Sequence, residues 1–279
     1  MIEITNLSFG YKKRRLLYRN LTLKLASGSI YGLLGKNGAG KSTLLKNIAG
    51  LLFPSDGSIT VNGFAPRKRR PSFLQTIYFI PEEVYVPSLS IEAYKNLYAP
   101  FYPAFDDTEF YRYLELLDVR DKGKLNRFSF GQQKKFIIAF AIACNTRVLL
   151  LDEPTNGLDI PSKIKFRKLL SSVATGDKMI FISTHQIRDL ENLIDNVIII
   201  DNGELFLQAS LPEISEHLSF KVVEELPAEN DLLYSEPSLK GYSVVVRNIG
   251  AEDTKVNLEF LFNAVTENAD KAKAIFRKI

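Results

Sequence analysis

Apolar and polar side chains alternate through residues 2–9 and 21–25, the period of strands with one buried face, and four consecutive basic residues at 12–15 make the turn between them. Another short strand ends in the hairpin-like turn Val61-Asn62-Gly63, so a small antiparallel sheet is expected beside the main one. At 30–34, 77–80, 148–151, 178–182 and 196–200 the apolar residues instead run on with little alternation. Strands of that kind are covered on both faces, as in a parallel sheet. Helical periods at 162–173 and 186–194 separate the last three, and this β-α-β-α-β order predicts a parallel sheet with helices on both sides. Asp201-Asn202-Gly203 is a tight turn into a strand at 204–208.

Two stretches depart from that scheme. Helical patterns at 90–98, 107–117 and 132–144 follow one another, with aromatic residues crowded between 85 and 113, which predicts a helical insertion at about 84–145. Half of the aromatics between Tyr85 and Phe105 are expected in its core. From 211 to 279, strand-like runs at 219–223, 232–235 and 242–247 precede a helical segment from 257 onward. The expected class is therefore α/β: a mixed, mainly parallel sheet, a small antiparallel β-subdomain, a helical insertion and a small C-terminal α+β appendage. The expected domains are 1–210 and an accessory region at 211–279. No internal repeat or low-complexity segment is present.

Composition changes little in this picture. The 279 residues are 46% hydrophobic and 24% charged, ordinary for a chain that buries a core. No run of 18 apolar residues occurs, and Met1-Ile2-Glu3-Ile4 lacks the basic and apolar parts of an export signal, so a soluble, unexported chain is expected. The single cysteine, Cys144, lies in an apolar run and reads as a buried, inert thiol. The net charge of +4 divides unevenly: 28 Lys/Arg against 20 Asp/Glu in residues 1–207, and 8 against 12 from 208 onward. Arg67-Lys68-Arg69-Arg70 lies between prolines with no interleaved aromatics and reads as a solvated loop; no nucleic-acid partner is expected.

Candidate chemistry lies in two segments. Gly35-Lys36-Asn37-Gly38-Ala39-Gly40-Lys41-Ser42 fits G-x-x-x-x-G-K-[ST] and stands between a strand and a helical pattern, the setting such a loop requires. Gly38, Ala39 and Gly40 let backbone N–H groups turn around phosphate oxygens, Lys41 reaches the β- and γ-phosphates, and the Ser42 hydroxyl suits Mg2+. This makes the expected fold a P-loop NTPase. The second segment, Val148-Leu149-Leu150-Leu151-Asp152-Glu153, ends a buried strand with two carboxylates, where open α/β sheets bind ligands. Alone, Asp-Glu after a strand is an ordinary turn. With the upstream loop, Asp152 is placed to hold Mg2+ directly or through water, and Glu153 to polarise the attacking water.

Further motifs carry a resemblance. Phe128-Ser129-Phe130-Gly131-Gln132-Gln133-Lys134-Lys135 precedes the carboxylates, and Pro154-Thr155-Asn156-Gly157-Leu158-Asp159 and Ser183-Thr184-His185 follow them. In this order and spacing, residues 1–210 resemble the ATP-binding subunit of ATP-binding cassette (ABC) transporters. The resemblance implies that Gly35, Asn37, Gly38, Ala39, Gly40, Lys41, Ser42 and Thr43 hold ATP and that Tyr11 stacks on its adenine. It implies that Ser42, Glu82 and Asp152 hold Mg2+, that Glu153 is the catalytic base, and that His185 is the switch histidine. It also implies that Ser129, Gly131 and Gln132 form a signature, with Asp159 closing a further loop, that meets ATP held by a second subunit. Two positions depart from the family pattern: Glu82 stands where Gln is usual, and Phe130 where the signature has its first glycine. Slow hydrolysis is expected.

The resemblance is nearest to the ABC-2-type exporter branch. It implies an ATPase that drives a separate transmembrane permease through ATP-dependent homo- or heterodimerisation, cytoplasmic and held at the inner face of the membrane by that permease. The alternative is a soluble, non-transport ABC ATPase serving assembly or translation. A GTPase is disfavoured because no Asn-Lys-x-Asp segment occurs, and a kinase would need neither the signature nor the switch histidine.

Overall fold

The computed structural model describes residues 1–12, 15–120, 123–174, 176–250 and 252–276. The chain begins with β1 (Ile2–Phe9) and β2 (Tyr18–Leu25), then β3 (Ile30–Leu34) and α1 (Lys41–Ile48), then β4 (Asp56–Val61). Strands β2, β1 and β4 form an antiparallel sheet in that order, as the alternation predicts. Part of the basic turn between β1 and β2, Lys13 and Arg14, lies outside the described residues. After β4, Asn62 and Gly63 both take positive φ, 49° and 80°, the conformation of a tight hairpin turn. A 3-10 turn, Pro66–Lys68, and the single turn α2 (Pro71–Leu74) then lead to β5 (Ile77–Ile80).

The helical insertion follows as α3 (Ile91–Tyr98), α4 (Asp107–Leu116) and α5 (Phe130–Ala143). Ser90, Asp106 and Ser129 cap these helices, each accepting a backbone N–H of the first turn. All ten residues from Lys134 to Ala143 of α5 are buried, and from Phe136 onward the helix is apolar on every side, as befits a buried helix. Tyr94, Phe136, Phe140 and Phe110 pack mostly edge-to-face around it. Cys144 is buried beside them, and burial pushes its thiol well above the ordinary range, away from the reactive thiolate.

The sheet continues with β6 (Val148–Asp152), α6 (Ile160–Val173), β7 (Met179–Thr184), β8 (Asn196–Asp201) and β9 (Glu204–Ser210). Its order is β5-β6-β7-β3-β8-β9, parallel except for the antiparallel edge β9. Alternate residues serve opposite cores. Leu149, Leu151, Ile180 and Ile182 face the helical insertion, while Val148, Leu150, Met179 and Phe181 face α1 and the antiparallel sheet. Gly32 has no side chain for a reason of space: a Cβ there would lie 2.8 Å from Ile194 Cδ1.

One expected helix is corrected. Residues 186–194 hold a 3-10 turn, Ile187–Leu190, and not a helix, because Asn192 takes φ 59° and Leu190, Leu193 and Ile194 must all reach the core. Beyond β9, the described residues continue with α7 (Leu211–His217), β10 (Leu218–Val223), β11 (Leu232–Ser238), β12 (Gly241–Arg247), α8 (Leu258–Glu267) and α9 (Ala269–Phe276). The order β10-β12-β11 makes a third, antiparallel sheet. Its Leu233 and Val245, with Leu258 and Leu261 of α8, join the same core as the insertion-side face of the main sheet. Among the described residues, no helix is long and apolar enough to cross a membrane.

Candidate functional site

Helix α1 starts differently from six of the other helices. Side chains cap α3, α4, α5, α6, α7 and α8, whereas α1 has Gly40 at its N-cap, at φ 111°, with no capping side chain. Its first N–H groups and the positive end of its dipole are therefore available to an anion. A side chain at Gly40 would collide with Tyr18, whose buried hydroxyl donates to the Gly40 carbonyl; burial raises the Tyr18 phenol far above its usual range.

This end of α1 opens into a cavity of about 840 Å3 at the carboxyl ends of the parallel strands. Ten residues expected at the site line it: Tyr11, Asn37, Gly38, Gly40, Lys41, Ser42, Thr43, Glu82, Glu153 and His185. Gly35, Ala39 and Asp152 lie just behind its wall. The Gly35 carbonyl accepts from Lys41 Nζ at 2.8 Å, Ala39 is buried, and Asp152 Oδ1 accepts from Ser42 Oγ at 3.0 Å and Ser183 Oγ at 2.5 Å. Tyr11 is 67% exposed at the mouth, edge-on to Phe9, with its hydroxyl 2.9 Å from Thr43 Oγ1.

Glu153 is the most heavily partnered group there. Its Oε1 accepts the His185 backbone N–H at 2.9 Å, lies 2.8 Å from His185 Nδ1 and 3.7 Å from Lys41 Nζ; its Oε2 accepts from Thr184 Oγ1 at 3.0 Å. Burial pushes the Lys41 ammonium below the ordinary lysine range, against the pull of Glu153 and Asp152. Glu153 also has φ 44°, a left-handed conformation that a residue with a Cβ adopts only at a cost and that tends to mark functional sites. Glu82 Oε1 accepts from Asn156 Nδ2 at 2.9 Å, and Gln186 donates to the same Asn156.

The signature residues are not brought to this cavity. Ser129 caps α5, Gln132 Nε2 reaches the Asp118 carbonyl at 3.3 Å, and Gly131 lies against Gly157, where a Cβ would come within 3.1 Å of the Gly157 oxygen. Asp159 caps α6 through Ser162 N–H at 2.9 Å. The Phe130 ring, 46% exposed, packs against Gly157 so closely that a Cβ on that glycine would stand 2.5 Å from it.

Five contributors are given no role by the motifs alone. Ser183 and Thr184 anchor the two carboxylates, and their signal is a hydroxyl pair just before His185. Lys12 and Arg15 line the cavity beside Tyr11, and their signal is the basic turn itself. Lys134, fully buried, donates to the Glu82 and Glu153 carbonyls at 2.8 Å each, and burial lowers its ammonium to about 8.

Comparison with known proteins agrees with this geometry. Residues 18–156 match the ABC transporter family. The ABC transporter ATP-binding protein NatA of Bacillus subtilis (strain 168) is 32% identical over 227 residues, which cover 77% of this chain and 92% of NatA. The bacitracin transport ATP-binding protein BcrA of Bacillus licheniformis is 33% identical over 212 residues, covering 74% and 68% respectively. Among solved structures, an ATP-binding subunit of an ABC transporter superposes with a TM-score of 0.69 at 28% identity, covering 77% of this chain and 91% of the other.

Proposed function

The chain belongs to the ABC transporter family as an ATP-binding subunit, and from that premise we propose how its residues bind ATP, hydrolyse it and pass the result to a membrane partner. ATP lies in the cavity with its phosphates against the amides of Gly38, Ala39 and Gly40 and the uncapped start of α1. Lys41 exchanges its carbonyl partners for the β- and γ-phosphates, Gly35, Asn37 and Thr43 shape the cradle, and Tyr11 stacks on adenine. Ser42, Asp152 and Glu82 offer oxygen donors only, a set that fits Mg2+, which takes one or two carboxylates together with phosphates and water. Bound by them, Mg2+ would neutralise charge on the transferred phosphoryl group.

Glu153 orients the attacking water. Water forms the new bond to the γ-phosphorus as the bond to the bridging oxygen breaks, with the water proton directed toward Glu153, and ADP and phosphate result. His185 holds the carboxylate through Nδ1 and turns its other nitrogen to the γ-phosphate. The observation that carries this reading is the uncapped α1 N-terminus and the Glu153 carboxylate sharing one cavity.

Ser129, Gly131, Gln132 and Asp159, remote from this cavity, meet nucleotide held by a second ATPase subunit, identical or related. Closure and reopening of that dimer drive a separate transmembrane permease, which docks near the exposed Tyr85, Leu97 and Phe101 and holds the chain at the inner face of the membrane. Export is the proposed direction, supported by the likeness to the exporter branch at Glu82. In this division residues 1–210 are the motor and 211–279 an accessory region.

The test is Glu153→Gln, tagged and purified from solubilised native membranes with ATP present. One multi-spanning membrane protein in stoichiometric amount, with ATP retained and not hydrolysed, is the expected result. Recovery of ribosomes or a soluble complex alone would overturn the transport assignment.

A further inference from the structure

We propose that Lys134 is a positioning residue, outside the nucleotide cavity, that fixes the Glu153 turn to the first turns of α5; this rests on reading Glu153 as the group that orients water. Lys134 stands five positions after the Ser129 cap, and its side chain is fully buried. Burying an ammonium is unfavourable unless it is well hydrogen-bonded. Among the described residues it forms no ion pair within 4.0 Å. Its Nζ donates instead to two backbone oxygens, of Glu82 and Glu153, each at 2.8 Å, with the Phe130 ring centroid 5.8 Å away.

Those two oxygens follow the carboxyl ends of neighbouring parallel strands, whose last pair is Ile80 with Leu151. Beyond that pair the ladder no longer sets the spacing of the two turns, and Lys134 bridges them there. One of the turns is strained: Glu153 has φ 44°, and a residue stays in that region only where its surroundings determine it. Its N–H is held by Ser183 and its carboxylate by Thr184 and His185. Its carbonyl is held by Lys134, with the Asn156 N–H at 3.2 Å as the turn partner. A charged donor makes the stronger bond, so Lys134 is the principal hold on that side.

The consequence is a mechanical link. Ser129 and Gly131 occupy the cap and first turn of the same helix, so a shift of α5 moves the Lys134 ammonium and, through it, both the Glu82 and Glu153 turns. Docking of a second subunit's nucleotide on that helix end would thereby be felt at this chain's own water-orienting carboxylate.

The experiment uses the full chain and three readouts: kcat for Mg-ATP hydrolysis, Kd for a fluorescent ATP analogue, and Tm. Lys134→Met fills the same space without donors, and kcat is expected to fall at least tenfold while Kd stays within threefold. Lys134→Gln, which supplies an uncharged N–H to one carbonyl, is expected to recover part of the lost rate. A Met variant with wild-type kcat overturns the inference. So does a parallel loss of kcat, Kd and Tm that Gln fails to relieve, since that is a structural role alone. Should the Met variant not fold, Gln decides: reduced kcat at unchanged Kd supports the link, and unchanged kcat removes it. Wild-type protein unable to hydrolyse ATP would instead bring down the reading of Glu153 itself.

Discussion

The carboxyl end of the parallel sheet and the C-terminal sheet bury polar groups in opposite ways. At the parallel strands, Asp152, Glu153, Ser183 and Thr184 are all buried and all bonded to one another, to His185 or to the α1 side chains. In the C-terminal sheet the buried hydroxyl oxygens of Ser219 and of the half-buried Ser238 have no hydrogen-bond partner among the described residues, and Leu233, Val244 and Val245, with Leu261 of α8, supply the cohesion. A satisfied buried network fixes geometry, whereas apolar packing contributes stability with little directional demand. The first region is thus built for positioning and the second for holding together.

That contrast predicts a separation between rate and stability. The largest effect is expected from Glu153→Gln: hydrolysis falls by about 10²–10⁴-fold, the range for removing a general base, with the fold retained. Retention follows from the contacts. The glutamine oxygen can keep the His185 N–H, and its amide can donate to Thr184 Oγ1, whose hydroxyl reverses its role. Phosphate release and thermal unfolding measure the two quantities, and a large loss of Tm alongside the rate would break the contrast. In the C-terminal sheet, Leu233→Ala should cost about 2–5 kcal/mol in denaturant unfolding, as a buried leucine truncation does. Turnover per folded molecule should stay within about twofold. A rate loss there comparable to that of Glu153→Gln would mean that the C-terminal layer also positions catalytic groups.

The same contrast explains what was legible in the sequence. Phosphate chemistry needs particular residue types at short spacings, so Gly35 to Ser42 and Asp152-Glu153 announce themselves, and the structure sets most of them on one cavity. Period alone places the parallel strands, because burial on both faces leaves continuous apolar runs such as 148–151. Lys134 was hidden because its role depends on two backbone oxygens 52 and 19 residues away, which no local pattern encodes. Residues 186–194 misread as helix for a related reason. Leu190, Leu193 and Ile194 have helical spacing, yet packing onto Gly32 and the left-handed Asn192 select an irregular path. The merging of the C-terminal core with the insertion-side core was equally invisible, since apolar periodicity shows that a face is buried and not what buries it.

A matched pair of serines gives the smallest and sharpest test of the contrast. Ser183 and Ser219 are both buried, and both sit in strands, but the Ser183 hydroxyl donates to a carboxylate while that of Ser219 has no partner among the described residues. Removing a bond to a charged group and leaving the acceptor buried costs about 1.5–3 kcal/mol, and Asp152 would keep only Ser42 of its two hydroxyl donors. Ser183→Ala should therefore lower the unfolding free energy by that amount and slow hydrolysis through a less constrained Asp152. Removing a hydroxyl that makes no bond relieves a desolvation penalty, so Ser219→Ala should leave stability unchanged or raise it by up to about 1 kcal/mol. Urea unfolding of the two variants measures the difference directly. If both serines cost the same, the C-terminal sheet is held by polar contacts after all, and its division from the nucleotide end disappears. Opposite signs would show that one sheet uses its buried hydroxyls and the other only tolerates them.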